Sequence, residues 1–177
     1  MKILSKTLVA VLSISLVPFI ANAGKESKIE YTANMQALNN SGVWAEVEMK
    51  LKGNILKVEI NASGLEVGKP HPQHIHGFGD ATKNATCPGF EADVNGDGVI
   101  AVGEGAPFYG PIILPLVPFD LVDEAGNLEY EIKLTVNPET LGDLTNRTVV
   151  MHGLTVNETY VPSLPVACGQ LEIEAED

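Results

Sequence analysis

Four stretches of this chain alternate apolar and polar residues with a period of two, and no stretch shows a helical period. Ile29, Tyr31, Ala33 and Met35 alternate with Lys28, Glu30, Thr32, Asn34 and Gln36. Val43, Ala45, Val47, Met49 and Leu51 alternate with Trp44, Glu46, Glu48 and Lys50; Leu56, Val58 and Ile60 alternate with Lys57, Glu59 and Asn61. Leu128, Tyr130, Ile132, Leu134 and Val136 do the same with Glu129, Glu131, Lys133 and Thr135. Successive strand residues point to opposite faces, so this period with a charged outer face specifies half-buried antiparallel strands. Turn formers sit between them at 39–42, 52–54 and 124–127. Shorter strands are expected at 147–152 and 166–174. The fold class is therefore all-β, a sandwich or barrel, and 177 residues suit one domain.

The first 23 residues read as an export signal: Lys2 and Lys6, an apolar run over 7–20, and the small-residue cleavage site Ala21-Asn22-Ala23. The run is too short for a stable membrane span. The expected mature domain is 24–177, periplasmic or secreted. That compartment makes pairing the default state of the only two cysteines, Cys87 and Cys168. The alternative, a pair of metal thiolates, lacks a C-x-x-C spacing. With 23 acidic against 11 basic residues and one arginine, Arg147, the chain has no basic patch for nucleic acid or anionic membrane.

Residues 64–120 break the alternation and hold three of the four histidines; irregular segments this long in a compact domain are usually functional. In His71-Pro72-Gln73-His74-Ile75-His76, a strand would point His74 and His76 to one face. His152 ends a later expected strand. Three neutral imidazoles suit copper or zinc.

The segment 71–82 (H-P-Q-H-I-H-G-F-G-D-A-T) followed by Cys87 resembles the copper-binding segment of copper/zinc superoxide dismutases. Asn146-Arg147-Thr148-Val149-Val150-Met151-His152 is similar to that family's G-R-T-x-V-V-H block, and Ala167-Cys168-Gly169 to its A-C-G block. The three blocks stand in family order across nearly all of 24–177. The resemblance implies an eight-stranded Greek-key barrel or sandwich of superoxide dismutase type. It also implies copper on His74, His76 and His152, a structural place for His71, a disulfide between Cys87 and Cys168, and superoxide as substrate. The chain departs from the pattern at three points. Asp93 stands where the family's bridging histidine falls, no further histidine lies between His76 and His152, and Pro165 replaces the arginine that positions superoxide. Zinc is not expected at the family position, and dismutation is expected to be weak or lost.

The replaced segment carries a second signal. Residues 93–104 fit D-x-[DN]-x-[DN]-G with an acid at position 12, the order in which calcium loops supply oxygens. Asp93, Asn95, Asp97, the Val99 carbonyl and Glu104 would be the ligands. Pro88 upstream and Pro107 downstream are expected to prevent flanking helices, and the apolar, proline-punctuated segment 111–119 is expected to be a loop packed over the barrel. Two functions follow from different classes: a copper-binding dismutase-like protein, or a non-catalytic barrel module stabilised by calcium. The sequence sets no oligomeric state.

Overall fold

In a computed structural model, which describes residues 27–80 and 83–174, each alternating stretch is a strand. The expected export signal lies outside the described residues. In chain order the elements are β1 (Lys28–Ala37), β2 (Trp44–Lys52), β3 (Ile55–Ser63), β4 (Gln73–His76), α1 (Val102–Tyr109) and β5 (Ile112–Pro115). Then follow β6 (Leu128–Thr135), α2 (Pro138–Leu141), β7 (Thr148–Val156), β8 (Thr159–Gln170) and β9 (Glu172–Ile173).

The strands pair in the order β5-β4-β7-β8-β1-β2-β3-β6, with β9 added to β1. Every pairing is antiparallel. β3 lies beside β6 and β4 beside β7, so the chain crosses over between β3 and β4 and again between β6 and β7, the Greek-key connection. β1 joins the two halves: its body pairs with β2, and its last residues, Gln36 and Ala37, pair with β8 opposite Cys168 and Ala167. The sheet curls on itself into an all-β, eight-stranded half-barrel of barrel or sandwich type, with β5 and β6 as its two edges.

The apolar residues of the alternation fill its interior. Met35, Leu56, Val58 and Ile60 are fully buried, as are Ile75 on β4 and Val149 and Met151 on β7. Each large side chain so buried stabilises by about 1.5–3 kcal/mol before the cost of ordering it. The outer faces of β1–β3 and β6 carry ion pairs such as Lys50–Glu30 (3.4 Å) and Lys57–Glu131 (3.2 Å). These are exposed and contribute little.

β7 does not alternate because neither face meets water: Thr148 to Gly153 are all buried. One face is core, and the other lies beneath the long segment between β3 and β6. The Cys87–Cys168 disulfide pins that segment to β8 (Cα–Cα 5.6 Å). Val150, Cys168, Leu38 and Tyr109 form a small second cluster under it.

Three sequence expectations need correction. Helices do occur, and Pro107 does not prevent one: α1 runs through it. Gly103, Gly105 and Pro107 erase the helical pattern, yet the helix is held from outside. Glu104 Oε2 accepts from Ala101 N–H (2.9 Å) at its start, and Tyr109 is buried at its end, donating to Val102 O (3.3 Å). The segment 111–119 is not all loop either, since β5 lies within it. Its prolines are tolerated because β5 is the last strand of the sheet, where missing N–H donors disrupt no further ladder. Finally, the expected C-terminal strands are longer and shifted, as β7, β8 and β9.

Candidate metal centre

β4 is short, and its two faces have different fates. Gln73 and Ile75 point into the barrel, whereas His74 and His76 point outward beneath the long segment. β7 supplies the third histidine through an irregularity: the β7–β8 register shifts on both sides of His152. Gly153 makes this bulge possible. Its φ is +105°, and a Cβ there would lie 3.0 Å from Pro70 O. His152 N–H donates to Pro72 O (2.8 Å), which sets the bulge beside β4.

The three imidazoles meet. Ring centroids are 5.6 Å apart for His74–His76, 5.2 Å for His74–His152 and 5.7 Å for His76–His152. One nitrogen of each lies within 4.8 Å of the others. Backbone carbonyls fix the tautomers of two rings: His76 Nδ1 donates to Gly110 O (2.9 Å), and His152 Nδ1 donates to Ser163 O (2.8 Å). A carbonyl only accepts, so in each neutral ring Nε2 must carry the lone pair. Of the nitrogens of these three rings, His74 Nδ1, His76 Nε2 and His152 Nε2 are buried without a hydrogen-bond partner.

Unpaired buried polar atoms are costly, and three converging ring nitrogens, each able to offer a lone pair in the neutral ring, have a common partner in a cation. At a metal–nitrogen distance of about 2.1 Å, three ligands round one ion lie at most about 3.6 Å apart, so each ring closes on the ion by moving inward by less than about 1 Å. Three imidazole donors fit a borderline transition ion. Burial holds His74 and His152 at pKa values of about 4, and it lowers His76 as well. All three rings are therefore neutral ligands at neutral pH.

His71, fully buried, stands behind the site. Its Nδ1 lies 3.1 Å from His152 O and its Nε2 3.1 Å from Glu66 O, so it ties the bulge to the β3–β4 connection. Its place is structural, outside the three-histidine group.

Asp93, Asn95, Asp97, Val99 and Glu104 do not join the histidines. They form a separate exposed loop wrapped round the Asp93 carboxylate, which accepts from Gly96 (2.9 Å), Asp97 (3.2 Å) and Gly98 (2.8 Å) N–H groups. Glu104 Oε1 accepts from Asn95 N–H (3.3 Å). Position 8 of the loop, Ile100, is clamped by Asn39. The amide of Asn39 accepts from Ile100 N–H (2.6 Å) and donates to Ile100 O (3.1 Å) and to Pro165 O (2.9 Å). Among the described residues, His74, His76 and His152 are the one histidine, cysteine or carboxylate group placed to share an ion.

Arg147 is buried away from the site. Its guanidinium donates to Leu141 O (3.1 Å) and Phe78 O (3.0 Å), bracing the β6–β7 connection against the end of β4. Sequence reasoning missed Gly110 and Ser163, since a backbone carbonyl leaves no mark on residue identity. It also missed Tyr109, whose ring stands edge-on to His76 at 4.8 Å. No protein-family model matches the chain, and no curated protein does.

Proposed function

We propose that this chain is an exported copper protein, a divergent relative of the copper/zinc superoxide dismutases. In this reading it holds one copper ion with His74, His76 and His152. The observation that carries the reading is the convergence of three buried, unpartnered ring nitrogens, two of them set as lone pairs by carbonyl hydrogen bonds on the opposite ring nitrogen. The Greek-key order, the histidines on β4 and β7 and the disulfide to β8 support the kinship, and the disulfide suits a periplasmic or secreted protein. Copper cycling between two oxidation states would supply one-electron exchange with superoxide. The chain's own residues favour slow turnover of that anion. Pro165 stands where the family places its arginine, and Arg147 is committed to carbonyls elsewhere. Electrostatic steering is worth about 10- to 1000-fold in on-rate.

The test is titration of the mature protein with Cu(II), followed by EPR. One copper per chain with imidazole nitrogen couplings is expected. Loss of binding is expected in His74→Ala, His76→Ala and His152→Ala, with a smaller loss in His71→Ala. Copper binding indifferent to all three ligand changes would overturn the assignment.

The wrapped Asp93 loop favours a second reading, a calcium-stabilised module without catalysis. Binding to the folded state alone raises stability by RT ln(1 + [L]/Kd), so calcium should raise the melting temperature in wild type but not in Glu104→Gln. A wild-type melting curve unmoved by calcium and chelator would eliminate it.

A further inference from the structure

The three histidines form one wall of a cavity of about 480 Å³. That size falls in the range of pockets that enclose an organic molecule, and is far larger than a diatomic anion needs. Apart from Tyr109 and Ser163, which lie beside the histidines, the rest of its lining is apolar. α1 contributes Val102 and Ala106, β5 and its flanks contribute Pro111, Ile112 and Phe119, and β8 contributes Pro162. Among the described residues no lysine, arginine, aspartate or glutamate lines it. Tyr109 is the one phenol there; burial pushes its pKa up to about 12, and its hydroxyl is already bonded to Val102 O. Ile112 (51% exposed) and Val102 (41%) keep large aliphatic side chains in water beside the cavity. The Phe119 ring stands edge-on to His74 at 6.0 Å, interplanar angle 83°.

Taking the histidine centre as the metal site proposed above, we propose that its cavity binds a neutral aromatic alcohol. The ring lies among Phe119, Ile112 and the prolines, and the hydroxyl points toward the histidines. Three features select this class. Apolar walls recover the transfer energy of a ring, about 25 cal/mol per Å² of buried surface. Rigid proline and aromatic walls suit a flat ligand, with edge-to-face contacts adding to area burial. A carboxylate or other anion would lose its hydration against these walls with no cationic side chain to replace it. The polar groups sit at one end, where a single hydroxyl can meet them. The cavity thus selects against the anions that an arginine-equipped cleft would gather.

The experiment compares 2-naphthol, neutral at pH 7, with 2-naphthoate on metal-free protein, so that carboxylate–copper coordination cannot mimic pocket binding. Affinities come from calorimetry or probe fluorescence. The expected result is saturable naphthol binding with naphthoate at least about tenfold weaker. Ile112→Lys, at a half-exposed strand position that folding tolerates, should weaken naphthol and strengthen naphthoate by roughly tenfold. Phe119→Ala should weaken naphthol by a similar factor. Copper loading should tighten naphthol and alter the Cu(II) EPR spectrum. Naphthoate binding as tightly as naphthol, absence of saturable naphthol binding, or naphthol affinity unmoved by Ile112→Lys would each overturn the inference. The two readings fail separately. Naphthol binding without copper uptake removes the metal centre and keeps the pocket, whereas copper uptake without naphthol binding does the reverse.

Discussion

Acidifying the metal-free protein from about pH 7.5 to 4.5 should unload a calculable part of its stability through His152. An exposed imidazole in the unfolded chain takes its proton near pH 6.5. In the folded chain, burial holds the His152 pKa down to about 4; the hydrogen bond to Ser163 O opposes this, and the positive charges of His74 and His76 add to it. Between those values the unfolded state binds a proton that the folded state refuses. The contribution of His152 is therefore complete above pH 6.5 and declines as the pH falls toward 4. Linkage makes the loss about 2.5 kcal/mol over this interval. His74 shifts in the same direction, also to about 4, but its exposed side is screened and it adds less. Carboxylates titrate over the same range, so the difference from a His152→Gln variant isolates the histidine. Urea denaturation followed by Trp44 fluorescence measures it. Relative to wild type, the variant should gain about 2 kcal/mol on going from the higher to the lower pH. A stability gap constant to within about 0.5 kcal/mol would show that His152 protonates as freely folded as unfolded, and would refute the buried, neutral site.

Joint Cys87→Ser and Cys168→Ser replacement releases the long segment from β8 and should cost about 2–5 kcal/mol by denaturant titration. Asn39→Ala removes two bonds to Ile100 and one to Pro165 O and should lower stability by about 2–3 kcal/mol. Backbone amides of 98–101 should then exchange with deuterium faster. Gly153→Ala forces a Cβ against Pro70 O and into a left-handed conformation, at a cost of about 1–3 kcal/mol. It should weaken copper binding in titration by displacing His152, whereas Gly68→Ala, with open space round its Cβ, should leave copper binding unchanged.

The barrel was legible where a strand has one wet face. On β1, β2, β3 and β6 the alternation named the inward residues, because water on the outer face forces charge into every second position. The signal fails on β7 and β5 for opposite reasons. β7 is covered on both sides, so Thr148 to Met151 read as a continuous buried run. β5 is four residues long, flanked by Pro111 and ended by Pro115, and the sheet edge tolerates what a central strand would not. α1 was illegible because its stability is borrowed: Gly103, Gly105 and Pro107 specify no helix, while the Glu104 cap and buried Tyr109 impose one.

The candidate site divides along the same line between side chain and backbone. His74 and His76 could be placed on one face from their spacing alone, and His152 joined them as a third imidazole at the end of a later expected strand, a place that the similar block around it also implies. Nothing in the sequence shows which nitrogen of each ring points inward. For His76 and His152 that choice is made by the carbonyls of Gly110 and Ser163, and any residue at those positions offers the same oxygen. The cleft's character was hidden for a related reason. Val102, Ala106, Ile112, Phe119 and Pro162 are scattered over 61 positions and look like ordinary core or loop residues until α1, β5 and β8 bring them round the histidines. Pro165, at the position where the family it resembles carries an arginine, was visible as a missing charge. Apolar walls, with no lysine or arginine among the described residues lining them, surround the three ring nitrogens. This places the selectivity of the centre in desolvation rather than in electrostatic capture.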